Sequence, residues 1–111
     1  MVEWITADDV VGALSRPDLA ADGWVAQCVE AANDWAFRRR LAYGYVDVEE
    51  DAPNAAVKLG TVQLAVSMVQ AQGAIESPAS FAEFAAAGGG SMFGTFGEIK
   101  RMLGIPRPLA G

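Results

Sequence analysis

The chain has 111 residues, 52% of them apolar and 20% charged, with no histidine, one cysteine and a formal charge of −6. That composition fits one globular domain with a modest core, and the missing histidine removes the commonest general base and the commonest metal ligand together. Eight basic residues against fourteen acidic ones also argue against a free-standing duplex DNA binder, which needs clustered cations to neutralise phosphates.

Thr6-Ala7-Asp8-Asp9 has the form of a capping box, with acids at the positive end of the helix dipole, and predicts a short helix over Ala7–Leu14. Val10, Val11 and Leu14 form its apolar stripe, Trp4 and Ile5 lie ahead as staple candidates, and Ser15-Arg16-Pro17 stops it. The start Met1-Val2-Glu3-Trp4 lacks the basic and apolar runs of a signal peptide. No apolar run approaches the ~18 residues that span a bilayer, so a cytosolic origin without membrane contact is expected.

Asp22 caps a second, longer helix predicted over Gly23–Ala42. Trp24, Val25, Cys28, Val29, Ala31, Ala32, Trp35 and Ala36 gather on one side at helical spacing, and Gln27, Glu30, Asp34 and Arg38 fall opposite. Cys28, among Val25, Val29 and Ala32, reads as a buried small hydrophobe rather than a nucleophile. Arg38, Arg39 and Arg40 close the helix, where cations complement the dipole. Three in succession fan around its circumference, so they are also candidates for an intersubunit contact, with Arg39 directed along the buried face.

Tyr43–Val48 reads as an extended connector with room for a short strand, followed by the acids Asp47, Glu49, Glu50 and Asp51. Asp51 is the expected N-cap of a third helix, Pro53–Ile75, with Pro53 in its first turn. Val57, Leu64, Met68, Ala71 and Ile75 share one face with Thr61, while Leu59, Val62, Val66 and Val69 occupy nearly the opposite one. A helix apolar on two sides is buried on two sides. It is therefore the expected central helix, and the second face is a candidate subunit contact.

Glu76-Ser77-Pro78 breaks that helix, and Ser80 caps a short predicted helix over Phe81–Ala87. Five of residues 88–97 are glycine, which predicts a hinge; no Gly-Lys-Ser/Thr follows that would make a phosphate loop. A last short helix runs from Thr95 or Gly97 to Leu103, and Pro106 and Pro108 keep the tail extended. The expected architecture is all-α: a small bundle of about four helices, two long and two short, with an extended Gly/Pro-containing C-terminal arm. Residues 1–87 form the bundle and 88–111 the hinge, short helix and docking arm.

No active site emerges from these residues, and no catalytic, cofactor or metal site is expected. Asp8 and Asp9 diverge by about 100° on a helix, and the acids at 47–51 have no apolar pocket to raise a pKa. A helix-turn-helix reading fails because the second helix opens on Asp22-Gly23-Trp24-Val25 rather than outward Arg, Lys, Asn or Gln. Assembly uses more of the features: the two-sided third helix, the arginines, the apolar Gly-rich segment and the tail.

The order of a short helix at Ile5–Val11, a long helix ending in Trp35-Ala36-Phe37-Arg38-Arg39-Arg40, a connector, a long Ala/Val-rich helix from Pro53-Asn54-Ala55-Ala56-Val57-Lys58, and a short helix at Gly97–Leu103 resembles the head–tail connector (adaptor, or head-completion) proteins of long-tailed bacteriophages. The likeness is one of layout across nearly the whole chain. Phe81, Phe84 and Gly88-Gly89-Gly90 depart from it. The resemblance implies a virion protein, assembled in the host cytoplasm, that forms a ring of about twelve copies. Its partners are the portal, the next head–tail or tail-completion protein, and genomic DNA passing through the lumen without sequence-specific contacts. Met92, Phe93, Phe96, Ile99, Lys100, Arg101, Leu103 and Arg107 are then the expected portal-docking residues. Arg38, Arg39, Arg40, Leu59, Val62, Val66 and Val69 are the intersubunit candidates. Asp47, Glu49, Glu50 and Asp51 are candidates for the lumen or a subunit contact. The alternative is a small cytosolic helical adaptor or antitoxin-like regulator whose C-terminal arm folds on one partner.

Overall fold

A computed structural model describes residues 1–73, 77, 78, 80 and 96–105. The expected Phe81–Ala87 helix, the Gly88–Gly90 hinge and the proline-spaced tail lie outside the described residues. Among those described, the architecture is all-α: α1 (Ala7–Leu14), a 3₁₀ turn (Pro17–Leu19), α2 (Gly23–Ala42), α3 (Ala55–Gln70) and α4 (Phe96–Leu103). The connector between α2 and α3 forms no strand.

Local chemistry sets each boundary. At α1 the Asp9 amide donates to Thr6 Oγ1 at 3.3 Å and the Thr6 amide to Asp9 Oδ2 at 2.9 Å, so the capping box closes with Asp at its third position. Asp22 accepts from the Trp24 and Val25 amides at the start of α2. The start of α3 differs from expectation. Asn54, extended at φ −161°, accepts from the Val57 amide at 2.9 Å, so Asn54 is the cap and Pro53 precedes the helix. The helix also ends earlier than Ile75, because the chain turns through Gly73 at φ +91° soon after Gln70.

Three helices end in the same way. The amides of Arg16, Tyr45 and Ile105 reach back five residues to Val11, Arg40 and Lys100, and in each case the preceding amide reaches back three residues. This is the Schellman arrangement, and it places the pivot residue in the left-handed region: Gly44 at φ +92°, Gly104 at φ +76° and Ser15 at φ +55°. Ser15 is the one exposed non-glycine of the three. Ser15→Gly is therefore expected to raise stability by roughly 1 kcal/mol, read as a higher denaturation midpoint; an unchanged or lower midpoint would show that the serine carries no backbone strain.

α3 is the central helix and packs against α1, α2 and α4. The core unites Trp4, Val10, Val25, Cys28, Ala32, Leu64, Met68, Ile99, Leu103 and Ile105. On α2 the expected stripe is buried at Val25, Cys28, Ala32, Trp35 and Ala36 and half-buried at Trp24, Val29 and Ala31. Two uncharged polar side chains, Thr61 and Asn33, are buried with this core. Thr61 donates its hydroxyl to the Val57 carbonyl. Asn33 clamps Ile5, accepting from its amide at 3.0 Å and donating to its carbonyl at 3.1 Å, which pins the N-terminal segment to α2. Trp4 extends that attachment: its ring meets Phe37 edge-on at 5.8 Å, and its Nε1 donates to the Val48 carbonyl.

The division into a bundle and a separate arm needs correction at α4. Ile99, Leu103 and Ile105 are buried in the same core as the other helices, so α4 is a structural member of the domain. α3 and α4 cross closely because Gly60 has no side chain. A Cβ there would stand 2.9 Å from Met102 Cβ and 3.3 Å from the Leu103 side chain.

Candidate functional site

Two helix C-termini converge at the start of the connector. Arg40 is the last arginine of α2, and its side chain is 5% exposed. Its Nε donates to Asp47 Oδ2 at 2.7 Å, Nη2 to Asp47 Oδ1 at 3.2 Å, and Nη1 to the Leu103 carbonyl at 2.7 Å. One guanidinium thus holds a carboxylate in its fork and caps the negative end of α4. The ring of Tyr45 lies 3.6 Å from the guanidinium carbon, and Tyr45 Oη donates to the Gly104 carbonyl at 2.8 Å. Arg40, Tyr45, Asp47 and the Leu103–Gly104 backbone form a latch that fixes the connector to the C-terminal helix. Gly104 is required twice, by its positive φ and because a Cβ would stand 2.8 Å from Tyr45 Oη.

The latch orients the rest of the connector. Tyr45 and Asp47 turn inward, leaving Val46 93% and Val48 59% exposed between and after them. Leu41 and Tyr43 are exposed just ahead, and Glu49, Glu50 and Asp51 just after. The backbone behind this face is held at several points, including the bond from the Glu3 amide to the Glu49 carbonyl. The result is a fixed apolar rib beside an acidic edge.

The candidate residues distribute unevenly around this frame. Arg40 and Asp47 pair within the chain, which corrects their expected intersubunit and lumen roles: a fork-bound, buried pair has no donor or carboxylate edge to offer outward. Arg38 is exposed and bridges Asp34 one turn back, while Arg39 is half-buried along the core-facing side, as expected, with its guanidinium carbon 4.9 Å from the ring of Trp35. Of the second face of α3, Val62 is buried in the core, Val66 and Val69 are half-buried against it, and Leu59 is exposed. Glu49, Glu50 and Asp51 remain on the surface. Ile99 and Leu103 are core residues, so they are not available as docking anchors. Lys100 and Arg101 stay on the outer side of α4, Arg101 beside Glu98 at 3.1 Å. Phe96 opens α4, and Met92, Phe93 and Arg107 lie outside the described residues.

The latch was legible in one respect that the triple arginine obscures. Ala32, Ala36 and Arg40 follow at i, i+4 and i+8, so the buried stripe of α2 continues onto Arg40. Asn33 carried no comparable signal.

The chemistry of the surroundings is spare. Two open grooves of about 400 and 580 Å³ flank the N-terminal segment, one reaching Glu30, Asp34 and Glu49 and the other Thr6, Asn33 and Glu50. Among the described residues no three acidic, cysteine or histidine side chains group to hold a metal, and no helix is long and apolar enough to cross a membrane. Burial, with a smaller push from Asp22, raises the Cys28 thiol from its ordinary value of 9.0 to about 12. The unfolded chain therefore loses this proton first, and stability falls as pH rises from about 9 toward 12. Cys28→Ala is expected to flatten that alkaline slope in denaturation midpoints taken across the range; a slope equal to the parent's would place its origin elsewhere. Comparison of the chain with protein-family models, with curated proteins and with solved structures gives no match.

Proposed function

We propose that this chain is a structural head–tail connector of a long-tailed bacteriophage, assembling as a ring between the portal and the tail. The observation that carries the reading is the layout: a short α1, a long α2 ending in arginines, an extended acidic connector, a long central α3 and a short C-terminal helix. The exposed acids Glu49, Glu50 and Asp51 suit a lumen through which DNA slides, because negative groups repel phosphate. Arg38, exposed beside Asp34, and Arg39, over Trp35, are the arginines of α2 assigned to the contact between copies. Lys100, Arg101 and the segment from Pro106, with Arg107, are the portal-facing elements.

The test is to mix the purified chain with the portal ring of the same genome and image the product by electron microscopy. A version ending at Ile105 serves as the second arm, since it keeps the whole of α4. An added ring of density with the full chain, lost with the shortened one, is the expected result. Absence of binding by the full chain across salt concentrations overturns the reading and favours a small adaptor for another partner.

A further inference from the structure

Large apolar side chains are unevenly spread over the surface of this chain. Among the described residues six are exposed, and four of them, Leu41, Tyr43, Val46 and Val48, fall within eight positions of sequence. Singly exposed apolar residues are ordinary. A cluster of them on a fixed frame marks a site of contact, and tyrosine is enriched where proteins meet. The frame here is the latch: Arg40 and Asp47 are locked together, Tyr45 is bonded to Gly104, and the Val48 and Glu49 carbonyls are held by Trp4 and Glu3. A surface arranged in advance loses little conformational entropy when it docks.

What covers this rib follows from its neighbour in space. Tyr45, between Tyr43 and Val46, holds the Gly104 carbonyl at the end of α4. Arg107, assigned to the portal in the connector reading, is three residues beyond Gly104, a span of about 10 Å at full extension. A partner that receives Arg107 is therefore brought up to the latch, and the rib is the apolar surface the latch presents. We propose that Leu41, Tyr43 and Val46 form a second anchor for the portal, seated against an apolar, charge-poor patch of the portal ring beside the point where the tail meets it. Glu49, Glu50 and Asp51 take no part in this contact. The inference deepens the connector reading and rests on it: it adds a preformed surface, built by the end of α2 and the connector, to the tail as the means of docking.

The test places a photoreactive group on the rib. Full-length Val46→Cys is labelled with benzophenone maleimide, mixed with the portal ring of the same genome and irradiated; Cys28 is fully buried and stays unlabelled. Gln27→Cys is the reference, exposed on α2 fourteen residues before Leu41 and about 21 Å from it along the helix. An adduct with the mass of one chain plus one portal subunit is expected from position 46, at a yield about ten-fold above that from position 27. In an equilibrium titration, Leu41→Gln combined with Val46→Gln should weaken portal binding about ten-fold. The same chain should melt with the parent, because both side chains are exposed. With portal binding intact, three results overturn the assignment: chain-to-chain adducts in place of portal adducts, which make a second copy the occupant; equal portal yields from the two positions; or parent-like affinity of the double variant. If the full chain does not bind the portal at all, the connector reading falls and this docking surface falls with it.

Discussion

Arg40→Met is expected to cost about 3–5 kcal/mol of folding stability, because it leaves the Asp47 carboxylate and the Leu103 carbonyl buried without their donor. Against a total of roughly 5–15 kcal/mol for a domain of this kind, that is enough to bring the fold to its margin. Arg40→Lys should fall between the parent and Met: an ammonium keeps the charge but cannot fork onto both carboxylate oxygens while also reaching the helix end. The pair Arg40→Met with Asp47→Leu should lose clearly less than the sum of the two single changes, since no orphaned charge remains, yet should not regain parent stability because the Leu103 carbonyl still lacks its partner. Urea denaturation of the parent, the three single variants and the double variant measures these quantities. A loss below about 0.5 kcal/mol for Arg40→Met, in the range of an exposed pair, would show that the latch does not hold the connector.

The fold was legible where the sequence carries a local signal with one physical outcome. Thr6 with Asp9 and Asp22 ahead of Trp24 have few alternatives to capping, and the stripe from Val25 to Ala36 can only turn inward. The third helix was located, but its start was misassigned because Asp51, Asn54 and Pro53 all carry start signals. The deciding fact, that Asn54 reaches the Val57 amide, is geometric. The latch was harder to see: the spacing of Ala32, Ala36 and Arg40 turns Arg40 inward, but nothing local says that it gathers a carboxylate seven residues on and a carbonyl sixty-three residues on. Gly44 supplies the missing step: its left-handed turn reverses the chain so that Tyr45 and Asp47 return beneath Arg40. The same reasoning applies to α4. A short helix after a glycine-rich stretch reads as a detachable arm, and only the close crossing at Gly60 shows that Ile99 and Leu103 complete the core.

That placement of α4 makes shortening the chain an experiment on stability before it is one on binding. Leu103 is fully buried, and Leu103→Ala is expected to cost about 2–5 kcal/mol. Ending the chain at Ala87 removes Ile99, Leu103 and Ile105 together. At ~1.5–3 kcal/mol for each buried aliphatic side chain, the loss of about 5–9 kcal/mol is comparable with the whole stability of such a domain. The cut also leaves Arg40 without the Leu103 carbonyl and uncovers α3 around Gly60. The Ala87 chain should therefore lose its cooperative thermal transition, whereas the chain ending at Ile105 keeps every described core contact and should melt close to the parent. Calorimetry of the three chains separates the cases. If the Ala87 chain melts cooperatively at the parent midpoint, α4 is not part of the domain and the docking-arm description of residues 88–111 returns. If it does not, loss of portal binding on that truncation reports a collapsed bundle, and only the cut after Ile105 tests the tail.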